Sequence, residues 1–454
     1  MYRSILFLIF YCFLTACNKQ DDFLSEKPNI ALSTLDNLTD LQNLLNNESV
    51  FNRNDPSLGA LTAEDYYVTD KVWNNTTSPI ARNTYIFATD IYGAYPLSTD
   101  WTTPYNAIYV ANTVLQAFDS FGETEKQSQE GRQVQGQALF YRSWKYYGLL
   151  QDFTLPYDTI TASTTLGLPL RLSPDLNSKV QRSNLKLCYQ QVIADLKKAL
   201  ELLPQSSLYV TRPNKTSVRA ALARIYLGLS NYDSAAKYAA IALEDNHQLV
   251  DFNTLSKTRY PIASNFLSED IFHSTLVNST FIAYNSSSID GSLYNSYDQN
   301  DLRKSIYFIT TTSGFNTFKG SYDFKRYQYN GLATDELYLI KSECDIRLGN
   351  TQQGIDLLNT LLLSRYVTGT FKPYGSLSQN RALEVLLSER RKELVFRGVR
   401  WSDLRRLNQQ SAFKSTLQRT INGLSYSLPP GDPRFAMPIP NEEIKLNEIT
   451  QNIR

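Results

Sequence analysis

Histidine is nearly missing from this chain: two residues, His247 and His273, in 454 positions. That starves any mechanism built on histidine triads or on histidine-rich metal sites. Charge of one sign is missing too. The 45 basic and 44 acidic residues leave a formal net charge of +1. Nucleic-acid binders normally carry a basic excess, and no polybasic arm for a membrane surface is present. Cysteine is sparse, at four. Cys188 and Cys344 both fall in stretches that read as helical and apolar, which suits buried free thiols; a disulfide between them cannot be read from sequence. The apolar run from Ile5 to Leu14 is too short to span a bilayer as a stop-transfer helix.

That run has another use. Arg3 supplies a positive flank, the apolar stretch has signal-peptide length, and Leu14-Thr15-Ala16-Cys17 closes it. A bulky aliphatic, two small residues and a cysteine form a lipobox. The Cys17 thiol would take a diacylglyceryl group, with cleavage just before it. The expectation is a lipoprotein signal peptide over 1–16 and a lipidated, flexible tether over 17–30, tied to the membrane by its acyl chains.

Aromatic residues are plentiful instead: 30 Tyr, 22 Phe and 4 Trp. An exported chain rich in Tyr, Asn, Ser and Thr suits a surface that stacks on ligands and hydrogen-bonds them better than one that moves protons. No cofactor is expected. The acidic residues around Asp65 and Asp70, and around Asp290 and Asp301, lack the spacing of a calcium loop.

Helical spacing begins with Leu35, Leu38, Leu41 and Leu45 and continues through Trp101 to Asp119, about Glu125 to Leu150, and Asn184 to Leu203. Ser217 to Asp245 is the clearest repeat. Ala223, Tyr226, Tyr232, Ala235, Ala239 and Ala242 take the small and aromatic positions of a tetratricopeptide helix pair. The register recurs at Ser342, Leu348-Gly349 and Gly354, where Leu361 replaces the final alanine. The fold class expected is mainly α: a tetratricopeptide-like helical repeat scaffold with an irregular, loop-rich ligand-binding subdomain. Trp101, Trp144 and Trp401 lie on helical faces and belong to its core. Residues 50–100 read as irregular, and 250–330 as loops with a few short strands.

Near the C-terminus, Glu389 to Glu393 is strongly charged. A catalytic carboxylate there lacks a matched acid–base partner. The reading favoured is a helix, ended by Gly398, whose Arg and Glu groups brace neighbouring elements. Ser388-Glu389-Arg390-Arg391-Lys392-Glu393-Leu394, followed by Gly398-Val399-Arg400-Trp401-Ser402-Asp403-Leu404-Arg405-Arg406, resembles the C-terminal signature of the SusD/RagB family. Pro438-Ile439-Pro440-Asn441-Glu442-Glu443-Ile444, ending in Asn447 and Gln451-Asn452, is similar to that family's closing motif. Ala138-Leu139-Phe140-Tyr141-Arg142 and the lipobox fall in the family's order.

The resemblance implies a nutrient-binding lipoprotein of the outer membrane, facing the cell exterior. Such a protein captures glycans as a lid on a TonB-dependent, SusC-like transporter barrel, with Lys19, Asp21 and Asp22 resembling the export signal. It implies one domain over 31–454. Helical repeats would cover about 31–60, 101–245 and 333–366, a ligand face about 60–100 and 250–330, and the C-terminal motifs 380–454. Ligand-contacting loops differ most within the family, so the site is chosen from the residues alone. Tyr66, Tyr67, Trp73 and Asn74 in one aromatic-rich stretch, and Tyr284, Tyr294 and Tyr297 in another, are expected to face each other as a stacking platform. Peptide capture is the alternative within the same class. A lipid-anchored glycoside hydrolase is the alternative outside it, and would need two carboxylates set across a cleft. The repeat face is the expected transporter contact.

Overall fold

Helix Gln129–Phe153 is the axis of the molecule. From Gly136 to Phe153 every residue but Gly148 and Gln151 is buried. A helix covered on all sides has no polar stripe, so its polar residues need internal partners. Arg142 donates to both Asp195 oxygens at 2.7 and 2.8 Å and to Asn112 Oδ1 at 2.9 Å. Lys145 pairs with Asp55, and Trp144 Nε1 donates to the other Asp55 oxygen at 2.8 Å. The computed structural model describes residues 35–63, 65–95, 97–259, 262–283, 287–320, 322–325 and 327–454. Cys17, the signal, the tether and Tyr284 lie outside them.

Helices Thr99–Asp119 and Leu185–Leu202 pack along the central helix. Each begins on a side-chain cap: Ser98 Oγ accepts from Asp100 N, and Asn184 Oδ1 accepts from Leu187 N. Residues 125–150 do not form one helix. Ser128 ends Glu123–Gln127 and caps Gln129–Phe153, its Oγ accepting from Gly131 N at 3.0 Å.

Helical hairpins follow, as the repeat predicts. Lys215–Gly228 pairs with Tyr232–Asp245, and Thr334–Arg347 with Thr351–Leu363. The second hairpin packs on the first. Ala223, Ala235, Ala239 and Ala242 are fully buried where the helices approach. Both turns take a left-handed residue at the matching position, Ser230 at φ 56° and Gly349 at φ 92°. In the second copy Ser342 Oγ donates to Gly354 O at 2.6 Å. The fold is mainly α, with 18 helices among the described residues and little sheet. Trp101, Trp144 and Trp401 are all buried.

Two further readings need correction. Residues 50–100 are not irregular throughout: they hold the short helices Leu58–Ala63, Asp70–Asn75 and Pro79–Tyr85. Thr69 and Ser78 cap the last two by local hydrogen bonds, which is why helices this short form without a long apolar stripe. Gly398 does not end the signature helix, which stops at Glu393 with Leu394 as its cap.

The closing motif is tied to the axis. Gln451 exchanges two hydrogen bonds with the backbone of Ile439, both 2.8 Å. Asn452 Nδ2 donates to Phe153 O at 2.8 Å and Met437 O at 2.7 Å. The C-terminal tail is thereby fixed to the end of the central helix.

Candidate functional site

The two aromatic-rich stretches are joined by backbone pairing. Tyr66–Tyr67, Ser288–Ile289, Asn316–Phe318 and Phe308–Thr310 form one antiparallel sheet in that order. Tyr66 faces Ile289 and Tyr67 faces Ser288. Asp290 N also donates to Asp65 O at 2.8 Å.

A two-residue strand sends its side chains to opposite faces. Tyr66 goes inward: its ring lies against Tyr85 at 5.5 Å and its hydroxyl donates to Leu61 O at 2.7 Å. Tyr67 goes outward, 40 % exposed. Trp73 is half-buried, with the Arg82 guanidinium 5.3 Å from its ring. Its Nε1 has no hydrogen-bond partner among the described residues. Asn74 is exposed, and its amide pairs with that of Asn422, two bonds of 3.1 Å. Tyr294 is half-buried against Phe308, with Lys304 Nζ 4.8 Å from its ring. Tyr297 lies in the core, its hydroxyl donating to Lys392 O at 2.8 Å. Tyr66 and Tyr297 are therefore inside the protein, where burial of a large ring outweighs exposure. Tyr67, Trp73, Asn74 and Tyr294 reach the surface.

Neighbours that the sequence reading missed complete this region. The hairpin Leu417–Ile421 and Leu424–Leu428 reaches over, its tip residue Asn422 donating from N to Asp70 Oδ1 at 2.8 Å. Asn422-Gly423 between two alternating runs is a strong hairpin signal that could have found it. Arg419 lies over Tyr66, Tyr85 and Phe87. Ile309 and Phe315, on the Phe308–Phe318 hairpin, are 46 % and 38 % exposed.

The electrostatics are those of a scaffold. Arg391 Nη2 sits 2.5 Å from Asp65 Oδ1 and 3.8 Å from Asp290 Oδ1, so one guanidinium holds both carboxylates. Burial raises Asp290, but the Ser292 hydroxyl, Leu293 N–H and Arg391 bring it below the usual carboxylate range. A general acid needs the opposite shift. Among the described residues, no group of three or more His, Cys, Asp and Glu is placed to hold a metal.

The interior cavity beside Trp144 and Trp401 measures about 50 Å³. That is room for a few waters and too little for a sugar ring. Asp152 Oδ2 and Asn330 Oδ1 belong to residues that line it and have no hydrogen-bond partner among the described residues, which suits water.

Comparison with known proteins agrees along the chain. A family model described as "Starch-binding associating with outer membrane" matches residues 22–227, and the SusD family model matches residues 263–453. The SusD-like protein P2 of Formosa agariphila is 24 % identical over 378 residues, 68 % of this chain and 72 % of that protein. A SusD superfamily protein from Bacteroides thetaiotaomicron superposes with TM-score 0.74 at 23 % identity, over 92 % of this chain and 100 % of that one. A SusD-like carbohydrate binding protein from Bacteroides vulgatus superposes with TM-score 0.65 at 20 % identity, over 87 % and 89 %.

Proposed function

The chain belongs to the SusD family, and from that premise we propose that it captures glycans outside the cell and passes them to a TonB-dependent transporter in the outer membrane. The observation that carries this reading is the sheet that joins residues 66–67 to residues 288–289. It puts exposed Tyr67 on one edge strand of a sheet whose opposite edge strand carries exposed Ile309, close in sequence to exposed Phe315. Sugar rings present apolar C–H faces that stack on aromatic rings, while amides and guanidinium groups bond their hydroxyls. Trp73, Asn74 and Tyr294 supply both kinds of contact. Tyr66 and Tyr297 support these positions from below.

Binding without chemistry fits the site, because the two carboxylates beside it, Asp65 and Asp290, are engaged by Arg391. The lipid on Cys17 would hold the protein at the membrane. No helix among the described residues is long and apolar enough to cross it. The stacked hairpins offer a broad, rigid face for the transporter.

The test is affinity electrophoresis through gels containing soluble polysaccharides, with reducing-sugar release measured on the same panel. Retardation without hydrolysis, weakened by Trp73→Ala, supports the reading. Binding only to peptides, or turnover lost on a single carboxylate substitution, replaces it with one of the alternatives. The barrel that co-purifies from membranes would identify the partner.

A further inference from the structure

Three cavities run end to end along the N-terminal half of helix Gln129–Phe153, with volumes of about 200, 340 and 340 Å³. The first two share Tyr209 and Arg212; the second and third share Gln129, Gln133 and Pro204. They make one groove, and none of its lining residues belongs to the sheet described above.

Tyr209 is 56 % exposed, and the Arg212 guanidinium lies 4.9 Å from its ring. An exposed aromatic on a slack loop would fold back on the protein; this loop is fixed. Asn52 Nδ2 and Tyr141 Oη both donate to Thr211 O at 2.9 Å. His273 N donates to Val210 O at 2.9 Å, and Lys215 N to Pro204 O at 2.9 Å. The backbone beside Tyr209 is fixed before any ligand arrives, so less ordering remains to be done on binding.

Across the groove, Gln129, Gln133 and Gln137 recur at four-residue steps along one helix face. Gln137 is already paired with Gln42, at 3.0 and 3.1 Å. Among the described residues no hydrogen bond ties the side-chain amides of Gln129 and Gln133. Each offers one acceptor and two donors without net charge. Carboxylates stand only toward the ends, at Glu48 and Glu201.

We propose that this groove is a second glycan-binding surface, which takes an extended oligosaccharide strand. One ring stacks on Tyr209 beside Arg212, and its neighbours exchange hydroxyl hydrogen bonds with Gln129 and Gln133. A side-chain amide carries donor and acceptor at the spacing of a vicinal diol, which suits a sugar. The groove offers no sheet edge for adding an extended peptide as a strand. The proposal rests on the reading above only in that the protein binds glycans. Its residues are separate.

Affinity electrophoresis of wild type, Tyr209→Ala, Gln133→Ala, Trp73→Ala and the Tyr209→Ala/Trp73→Ala double variant decides it. Tyr209 is exposed, and among the described residues its hydroxyl makes no hydrogen bond, so Tyr209→Ala should melt as wild type does. The expected result is about a three- to tenfold weakening for Tyr209→Ala, a smaller one for Gln133→Ala, and near-complete loss in the double variant. If Tyr209→Ala and Gln133→Ala are retarded as wild type while Trp73→Ala is not, the groove is overturned and the first site stands. If only the groove variants lose retardation, the first site falls and the groove stands. No retardation of wild type on any polysaccharide overturns both.

Discussion

Arg391 and Asp65 lie 326 positions apart in the chain and form an ion pair 2.5 Å long. The pair fastens the C-terminal signature helix to the strand that carries Tyr67. Phe396, just after that helix, stacks on Phe318 of the same sheet with centroids 4.6 Å apart. The signature thus braces the sheet of the proposed glycan face.

Arg391→Met should lower both stability and glycan retention. Asp65 is 8 % exposed and, among the described residues, would keep only the Arg400 cation, at 3.8 Å. Breaking a fully buried pair costs roughly 3–5 kcal/mol. Arg391 is partly solvated, so a loss of about 1–2 kcal/mol is expected. Denaturant unfolding and affinity gels would measure it. Wild-type values in both assays would remove the coupling between signature and sheet.

Glu393→Ala should cost more, roughly 3–5 kcal/mol. Its carboxylate accepts from Arg303 Nη1 at 3.0 Å and from Arg365 Nε at 2.7 Å, and all three side chains are fully buried. The variant leaves two guanidinium groups short of an acceptor. The expected outcome is poor folding or a large fall in melting temperature. A variant of native stability that had lost an activity would instead revive a catalytic carboxylate.

Gly354→Ala tests the second helical hairpin. An added Cβ would meet Ser342 O and Ile346 Cγ1, both at 2.6 Å. Helix propensity would gain up to about 1 kcal/mol, but the overlap with a backbone oxygen costs about 1–3 kcal/mol, so a net loss is expected. A gain in melting temperature would mean the two helices separate easily, against the Ser342–Gly354 hydrogen bond.

The hairpins were legible because close helix approach demands small residues, and Ala223, Ala235, Ala239 and Ala242 mark it at helical spacing. The proposed glycan face could be read only as a region. Whether Tyr66 or Tyr67 points outward depends on one strand of two residues, too short for alternation to show. Tyr297 reads like Tyr294 in sequence, yet a carbonyl at Lys392, distant in the chain, takes its hydroxyl into the core. The groove at Tyr209 was invisible for a related reason. It needs the loop after helix Leu185–Leu202 to lie beside a helix that precedes it in the chain, and no local pattern states that.

Cys188 and Cys344 are both free and buried. Burial pushes the Cys188 thiol up to about 11 and the Cys344 thiol up to about 12. The thiolate is the reactive form, so neither should react with a thiol reagent at pH 8 in the native state. Both should react promptly in denaturant. Native-state labelling within minutes would show that one of these helices opens locally.

His273 should make stability fall in mild alkali. Its Nδ1 lies 2.6 Å from Asp270 Oδ2 and its Nε2 3.2 Å from Asp323 Oδ2. Burial alone would lower its pKa, but hydrogen bonds and charge from the two carboxylates outweigh that and raise it to about 9. The ordinary value is near 6.5. Between these limits the folded protein binds more protons at this site than the unfolded chain does. The contribution is therefore complete below about pH 6.5 and disappears as pH rises through about 9, on the order of 3 kcal/mol at most. His273→Gln should be less stable at pH 6, because two buried carboxylates lose their cation, and should lose stability less steeply from pH 7 to 9. Urea midpoints for both proteins across that range would measure it, and parallel curves would show that His273 is not held as the cation.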